Sequence, residues 1–297
     1  MSDYRLGIDL GGTKIEIAAL DPTGEIVIRR REANPGTYDA LLHKIAEMVE
    51  QTLAETAPVA TVGIGIPGSI DAQSRCVKNA NAVWLNGKPF GDDLERILGT
   101  AVRVENDANC FALSEAIDGA AAGHKVVFGT ILGSGVGGGI VVNNEPLTGP
   151  HHVAGEWGHI PLPWVRQEEF PLPKCFCGNE GCIERFLCGS ALAELWKGPG
   201  NRSTHGIEEA AQAGDQTAVK ALDIYIERLG RAFALLVNLL DPDVIVLGGG
   251  VSNLSSIYSR VPDMMRRYVV TPECKTEIVK NKHGDSSGVR GAAWLWG

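Results

Sequence analysis

Three cysteines and a histidine carry the most specific chemistry in this chain. Cys175-Phe176-Cys177-Gly178 is followed by Gly181-Cys182, and the segment Gly155-Glu156-Trp157-Gly158-His159 precedes both. Three thiolates and one imidazole make a complete tetrahedral donor set for zinc. The Gly178 turn brings Cys175, Cys177 and Cys182 to one point, and a loop must deliver His159. A closed four-donor site leaves no position for water, so the spacing predicts a structural zinc rather than a catalytic one. The chain holds seven cysteines in all. An odd, clustered set in a reducing compartment reads as metal ligands rather than a disulfide framework. Cys76, Cys110 and Cys274 stand alone and read as buried thiols. Cys188 is a substitute ligand that the next helix would carry away.

Glycine-rich turns point to phosphate chemistry. Phosphates need closely spaced N–H donors, and glycine lets the backbone approach them. Three such loops occur: Gly11-Gly12-Thr13-Lys14, Gly133 to Gly139, and Gly248 to Gly250. Gly133, Gly135 and Gly138 match the spacing G-x-G-x-x-G, but an alternating strand-like segment follows where a dinucleotide site needs a helix. The pattern G-x-x-x-x-G-K-[ST] is absent as well. Asp9, in the apolar run GIDLGG, is costly to bury unless it is solvated or meets a cation. Beside a phosphate loop that cation would be Mg²⁺. Thr13 supplies a hydroxyl and Lys14 a positive charge.

Two more acids have open readings. Asp107 follows Asn106 at the start of a helical segment, where it would either cap the helix or serve as a base for a hydroxyl in phosphoryl transfer. Glu156 is either exposed or an acceptor for sugar hydroxyls. Asn79, Asn81 and Asn106 add amides suited to a polyol.

The elements that must position these groups are legible from periodicity. LGIDL and IEIAAL form a hairpin across the Gly-Gly turn, and EIVIRRR adds a third strand. Tyr38–Glu55 reads as an amphipathic helix. TVGIGIP is a buried strand ended by Pro67 and Gly68; VRVE is a strand leading into a helix that runs to Ile117. VVFGTILGSGVGGGIVVNN then repeats the strand, glycine turn, strand pattern, which suggests two related lobes. A loop-rich insert spans His151–Cys188. Asp215–Leu240 carries a 3.6-residue apolar row through Val219, Leu222, Ile226, Leu229, Phe233, Leu236 and Leu240, stopped by Asp241-Pro242. VIVLGGG enters the third glycine turn, with Ser252 or Asn253 placed to cap the helix beyond, and VRGAAWLWG reads as a short final helix.

The chain has 297 residues, 44% hydrophobic and 21% charged, as expected of a two-domain soluble protein. A net charge of -9 gives nucleic acid and anionic membranes no electrostatic reason to bind. The opening MSDYRLGIDLGG lacks the basic start and apolar run of a signal peptide, and no run approaches a membrane span; the expected location is cytoplasmic.

Taken in order, GIDLGGTK (Gly7–Lys14), GIGIPGSI (Gly63–Ile70), NDAN (Asn106–Asn109), LGSGVGGG (Leu132–Gly139), GEWGH (Gly155–His159), CFCGNEGCIE (Cys175–Glu184) and VLGGG (Val246–Gly250) resemble the ROK family of bacterial sugar kinases and sugar-responsive repressors. The motifs span the chain, and GEWGH followed by CFCGNEGCIE is the most specific. Ser134 stands where the family favours threonine and keeps the hydroxyl. The resemblance implies an α/β, actin-like (ribonuclease H-like) ATPase fold of two lobes with ATP in the cleft between them. The first lobe would be 1–118 joined by a C-terminal helix 288–297, and the second 119–287 with the zinc loop 151–188. Asp107 becomes the general base. Gly7, Asp9, Gly11, Gly12, Thr13, Lys14, Gly133, Ser134, Gly135, Gly138 and Gly249 fall in the nucleotide region. Gly68, Asn81, Asn106, Asp107, Glu156, His159 and Glu184 fall where the family contacts sugar, while His159, Cys175, Cys177 and Cys182 would hold zinc. The implied partners are Mg²⁺-ATP and a small hexose, and the implied assembly is a homodimer.

Within the family, NANAVWLNGKPF, EWGHIPLPW and KHGDSSGVRGAAWLW are similar to fructokinases of the manno(fructo)kinase type. That implies transfer to the 6-hydroxyl of fructose, and possible use of mannose, with N-acetylglucosamine kinase or glucokinase as the alternative. A non-catalytic sugar-sensing regulator is the rival of another class; the family's repressors carry a basic helix-turn-helix domain ahead of this core, and here the first strand begins near Tyr4. A zinc hydrolase is disfavoured by the closed metal site.

Overall fold

The computed structural model describes residues 4–56, 59–271 and 273–297. The chain is α/β and divides into two compact units: Met1–Gly123 with Gly139–Ala154 and Lys282–Gly297, and His124–Gly138 with Gly155–Asn281. Where junctions were expected at 118/119 and 287/288, the observed ones fall at Gly123/His124 and Asn281/Lys282, and Gly139–Ala154 goes with the first unit.

The first unit opens with β1 (Tyr4–Leu10), β2 (Lys14–Leu20) and β3 (Ile26–Ala33). It continues through α1 (Tyr38–Leu53), β4 (Val59–Ile66), the small hairpin β5 (Ser69–Ile70) and β6 (Val77–Lys78), α2 (Phe90–Leu98), β7 (Val102–Asn106) and α3 (Asp107–Ile117). The sheet order is β3-β2-β1-β4-β7. Leu6, Ile8 and Leu10 of β1 are buried with Ile64 and Ile66 of β4, and α1 covers them with Leu41, Leu42, Ile45, Met48 and Val49, the stripe its periodicity predicts. β1, β4 and β7 run parallel, with Asp9 opposite Gly65 and Ile66 opposite Asn106. Their carboxyl ends therefore bring Asp9, Gly68 and Asn106-Asp107 to one edge of the sheet, the edge where open α/β sheets hold ligands.

The C-terminal helix, Ser287–Ala293, packs on β1, β4 and α3 through missing side chains. Gly7 and Gly63 are register partners. A Cβ on Gly7 would lie 2.0 Å from Val289 O, one on Gly63 1.8 Å from Ala292 O, and one on Gly291 1.6 Å from Cys110 O.

The second unit contributes β8 (Val126–Leu132) and the start of β9 (Val136–Val142), which leaves the unit after Gly138 and leads to β10 (Glu145–Pro146). After the insert come α4 (Glu184–Leu187), α5 (Gly189–Lys197), α6 (Ile207–Gln212), α7 (Gln216–Leu240), β11 (Val244–Gly248), α8 (Ser255–Arg266) and β12 (Glu277–Lys280). The sheet order is β10-β9-β8-β11-β12. Asp215 caps α7, accepting from Thr217 N and Ala218 N, and Asp241 ends it in the left-handed region.

The helix α8 is capped differently from expectation. Ser252 and Asn253 are wound into a 3₁₀ turn, Gly250–Asn253, where Ser252 Oγ donates to Gly249 O and Asn253 Nδ2 to Gly250 O. The carboxylate of Glu208 caps α8 instead, accepting from Ser255 N at 3.0 Å and Ser256 N at 2.7 Å; a negative group there also opposes the helix dipole favourably.

The insert is anchored to α7 by a buried ion-pair cluster. Arg231 is 0% exposed. It donates to Pro163 O and Trp164 O at 3.1 and 2.6 Å and to both oxygens of Glu169 at 3.0 and 2.7 Å. Arg228 joins Glu169 at 2.8 Å. Burial would push the Glu169 carboxyl up, but Arg231, the Arg166 N–H and Arg228 together bring it down to about 2. Among the described residues no helix is long and apolar enough to cross a membrane.

Candidate active site and metal centre

His159, Cys175, Cys177 and Cys182 present one donor atom each, all within 4.8 Å of one another. Cys175 Sγ lies 3.6 Å from His159 Nδ1, and Cys177 Sγ 3.6 Å from Cys182 Sγ. Zn–S bonds of about 2.3 Å at tetrahedral angles place donors roughly 3.8 Å apart, so the set fits zinc. Each ligand has a local reason for its place. His159 closes the 3₁₀ turn Trp157–His159. The Cys175–Gly178 turn is tied by Gly178 N to Cys175 O at 3.1 Å, with Gly178 at φ +94°. Cys182 bridges to Pro161. The Asn179 N–H lowers the Cys177 thiol, whereas burial and the neighbouring thiols push Cys182 up to about 12. A dication relieves that crowding of sulfurs by holding them all as thiolates. Cys188 lies outside the cluster, at the N-cap of α5, with its Sγ 3.2 Å from Ser190 Oγ.

The same cluster gathers the acids of the second unit. Glu156 is exposed at the head of the histidine turn, and Glu184, half-buried, starts α4. Glu184 Oε2 accepts the Val136 N–H at 3.0 Å, a contact with the glycine loop that sequence reasoning did not foresee.

Beside that loop lies a cavity of about 700 Å³, lined in part by Gly133, Ser134, Arg185, Ser190, Arg202 and Gly250. The first turn of α5 contributes orphan N–H groups, and two guanidinium groups add positive charge. Arg185, Ser190 and Arg202 were not picked out from sequence; the run Gly198-Pro199-Gly200 before Arg202 is the one local signal of a loop there.

The glycines of the three loops differ in what demands them. Gly249 has φ +79° and would place a Cβ 2.5 Å from Leu132 O; Gly138 would strike Trp157 at 2.7 Å. Gly7 is buried under the C-terminal helix, as described above. Gly12 and Gly250 have nothing within 4 Å, and Gly133 only Ile131 at 4.0 Å; none of the three has a positive φ. Neither packing nor backbone geometry requires glycine at these three positions.

In the first unit, Asp9 is half-buried between β2 and β4. Burial first, and then the nearby Glu16, push its carboxyl up to about 6. No group among the described residues donates a hydrogen bond to it, whereas Glu16, its cross-strand partner, is held by Arg29 and Arg31 at 2.6 and 2.5 Å. An unpartnered carboxylate beside Thr13 and Lys14 fits a hydrated Mg²⁺. Gly288 abuts Asp9; a Cβ there would sit 3.2 Å from its carboxyl carbon.

Asn106, not Asp107, caps α3: its side chain accepts from Ala108 N and Asn109 N, while its Nδ2 donates to Gly68 O at 2.9 Å. That bond joins two of the predicted sugar residues. Asp107 is the first helical residue, half-buried, with Oδ1 2.8 Å from Ala108 N. Asn81 is exposed on a loop locked by Asn86, which exchanges hydrogen bonds with both the N–H and the carbonyl of Ala80. Asn86 was not singled out from sequence.

The profile of the ROK family matches residues 5–297. The chain belongs to the ROK family. It is 43% identical over 296 residues to the N-acetyl-D-glucosamine kinase of Vibrio cholerae serotype O1, covering 97% of this chain and 98% of that one. Among solved ROK structures, the hexokinase of Thermus thermophilus superimposes with a TM-score of 0.85 at 30% identity, covering 99% of this chain and 97% of that one. The ROK glucokinase of Streptomyces griseus, solved with glucose and AMPPNP, does so with a TM-score of 0.77 at 32% identity, covering 98% of each chain. The fold is the actin-like, ribonuclease H-like ATPase fold of this family.

Proposed function

We propose that this protein is an ATP-dependent kinase that transfers the γ-phosphoryl group to the 6-hydroxyl of N-acetyl-D-glucosamine. The observation that carries the sugar's identity is the 43% identity, over nearly the full length of both chains, to an N-acetyl-D-glucosamine kinase. It supports the alternative weighed from sequence above the fructose reading, for which similarity of three segments is the sole support.

In this mechanism the 6-hydroxyl oxygen bonds to the γ-phosphorus as the bond to ADP breaks, and its proton passes to Asp107. Asn106 supplies the cap of α3, and Asp107 Oδ1 also takes the Ala108 N–H at 2.8 Å. Gly68, Asn106, Glu156, His159 and Glu184 are the residues that would contact the sugar. The glycine loops would offer backbone N–H groups to the phosphates, though that of Gly133 is taken by Gly135 O at 3.0 Å, and Asp9 would hold Mg²⁺, which when bound would supply charge neutralisation to the transferring group. Zinc, when bound, fixes the turns that carry the second unit's acids.

ADP release measured with N-acetylglucosamine, fructose, mannose, glucose and N-acetylmannosamine tests the reading. N-acetylglucosamine should give the highest kcat/KM. Preference for fructose would restore the first reading, and no release with any sugar would favour a sugar-sensing regulator.

A further inference from the structure

The metal cluster is wired to the glycine loop Gly133–Gly138 by two side chains. Glu184 lies two residues beyond Cys182, and its Oε2 holds the Val136 N–H at 3.0 Å. The fit is close: a Cβ on Gly135 would lie 2.6 Å from that oxygen. From the other side, Trp157 lies two residues before His159 and donates Nε1–H to Gly137 O at 3.1 Å. Thr130 Oγ1 donates to the same carbonyl at 3.0 Å. The indole is fixed against Phe128 and Phe233, with ring centres 5.6 and 5.8 Å away. Between them, Gly158 presses on the loop so closely that a Cβ would sit 2.2 Å from Val136 O. Both arms leaving the cluster thus end on peptide groups of one loop.

We infer that Glu184 and Trp157 are positioning residues for the glycine loop, so that the metal cluster sets nucleotide affinity before any sugar is bound. The inference rests on reading Gly133–Gly138 as a phosphate loop. It adds to the sugar role of Glu184 and does not displace it. Oε2 is committed to Val136, and Oε1 receives no hydrogen bond from the described residues. A sugar hydroxyl on Oε1 would be read by the side chain that holds the loop, which couples the two substrates through one carboxylate.

The test measures AMPPNP binding to the zinc-loaded full-length protein by calorimetry, with no sugar present. Zinc content and Tm are recorded for each variant. Glu184→Ala removes the acceptor and should raise Kd about tenfold, the loss expected for a hydrogen bond to a charged group. Glu184→Gln keeps an oxygen for the Val136 N–H and should stay within about threefold of the native Kd, while losing sugar affinity. Trp157→Phe keeps the packing, loses the donor and should raise Kd several-fold; it decides the matter if Glu184→Ala fails to fold. Unchanged nucleotide affinity in Trp157→Phe and Glu184→Ala, both with zinc bound, would overturn this inference alone. Absence of AMPPNP binding by the unsubstituted protein would overturn the phosphate-loop reading with it.

Discussion

Replacing Arg231 by methionine should be among the most damaging single changes outside the site. The guanidinium is wholly buried and gives four hydrogen bonds: two to Glu169 and one each to the carbonyls of Pro163 and Trp164. It also pairs with Glu227 at 3.0 Å. Methionine fills much of the volume but strands the nearly buried Glu169 carboxylate with only Arg228 and one backbone N–H. Removing one partner of a buried pair costs about 3–5 kcal/mol, which in a cooperative unit of this size lowers Tm by roughly 6–20 °C. The pH dependence separates this mechanism from simple loss of packing. In the native protein Glu169 sits below its ordinary value. Its contribution is therefore complete above the unfolded pKa and is lost as pH falls toward about 2. In Arg231→Met the balance reverses: burial dominates, the carboxyl rises, and protonation relieves the unpaired charge. The gap in Tm between native and variant should therefore narrow between pH 7 and pH 4. The double variant Arg231→Met/Glu169→Leu should recover most of the loss. Thermal melts at the two pH values decide it. A gap that stays constant with pH, or a double variant as unstable as the sum of its singles, would refute the account.

Two further outcomes follow from the same geometry. Asp107→Asn should lower turnover by about 10²–10⁴-fold while leaving sugar binding and Tm close to native, because Asn106 holds the helix end; near-normal turnover would remove Asp107 from the role of base. The purified protein should carry one zinc per chain, and stripping it should expose the bond after Lys174 to trypsin well before that after Arg166, whose N–H and side chain are held by Glu169, Glu227 and Tyr268. Equal cleavage rates at the two sites would show that metal and ion pairs do not anchor the insert independently.

What could be read from the sequence shares a physical property: it depends on neighbours along the chain. The zinc thiols lie in one short segment, α7 announces itself by its apolar period, and Asn106-Asp107 marks a helix start whatever follows. The features that escaped join distant segments. Glu169 meets Arg231 across 62 positions and Glu208 caps α8 from 47 positions away; no local pattern encodes either, since one glutamate before a helix looks like any other. Ser252 and Asn253 have the chemistry of caps, yet the tight exit from β11 winds them into a turn that consumes their side chains. Asn86 and the lining of the cavity, Arg185 to Arg202, carry no phosphate or sugar signature, because an exposed arginine or amide has many uses.

The glycines show most clearly why motif and mechanism part company. GIDLGGTK reads as one nucleotide signature, but its glycines answer to different forces. Gly7 is required by a helix that passes so near that a Cβ would overlap Val289 O, and its register partner Gly63 is required for the same reason. Gly12 has open space around it and an ordinary φ, so folding does not need it. The same division runs through the second loop, where Gly138 makes room for Trp157 and Gly135 for Glu184, while a Cβ on Gly133 would meet only Ile131 at 4.0 Å, and through the third, where Gly249 has a positive φ and lies against Leu132 O while Gly250 does neither. The second and third loops thus each pair a glycine that the fold demands with one that it does not. Alanine at Gly63 or Gly291 perturbs packing; alanine at Gly12, Gly133 or Gly250 leaves packing alone and meets only what binds there. If the loops hold phosphate as proposed, those three positions, one in each loop, are where an added side chain would meet it without disturbing the core.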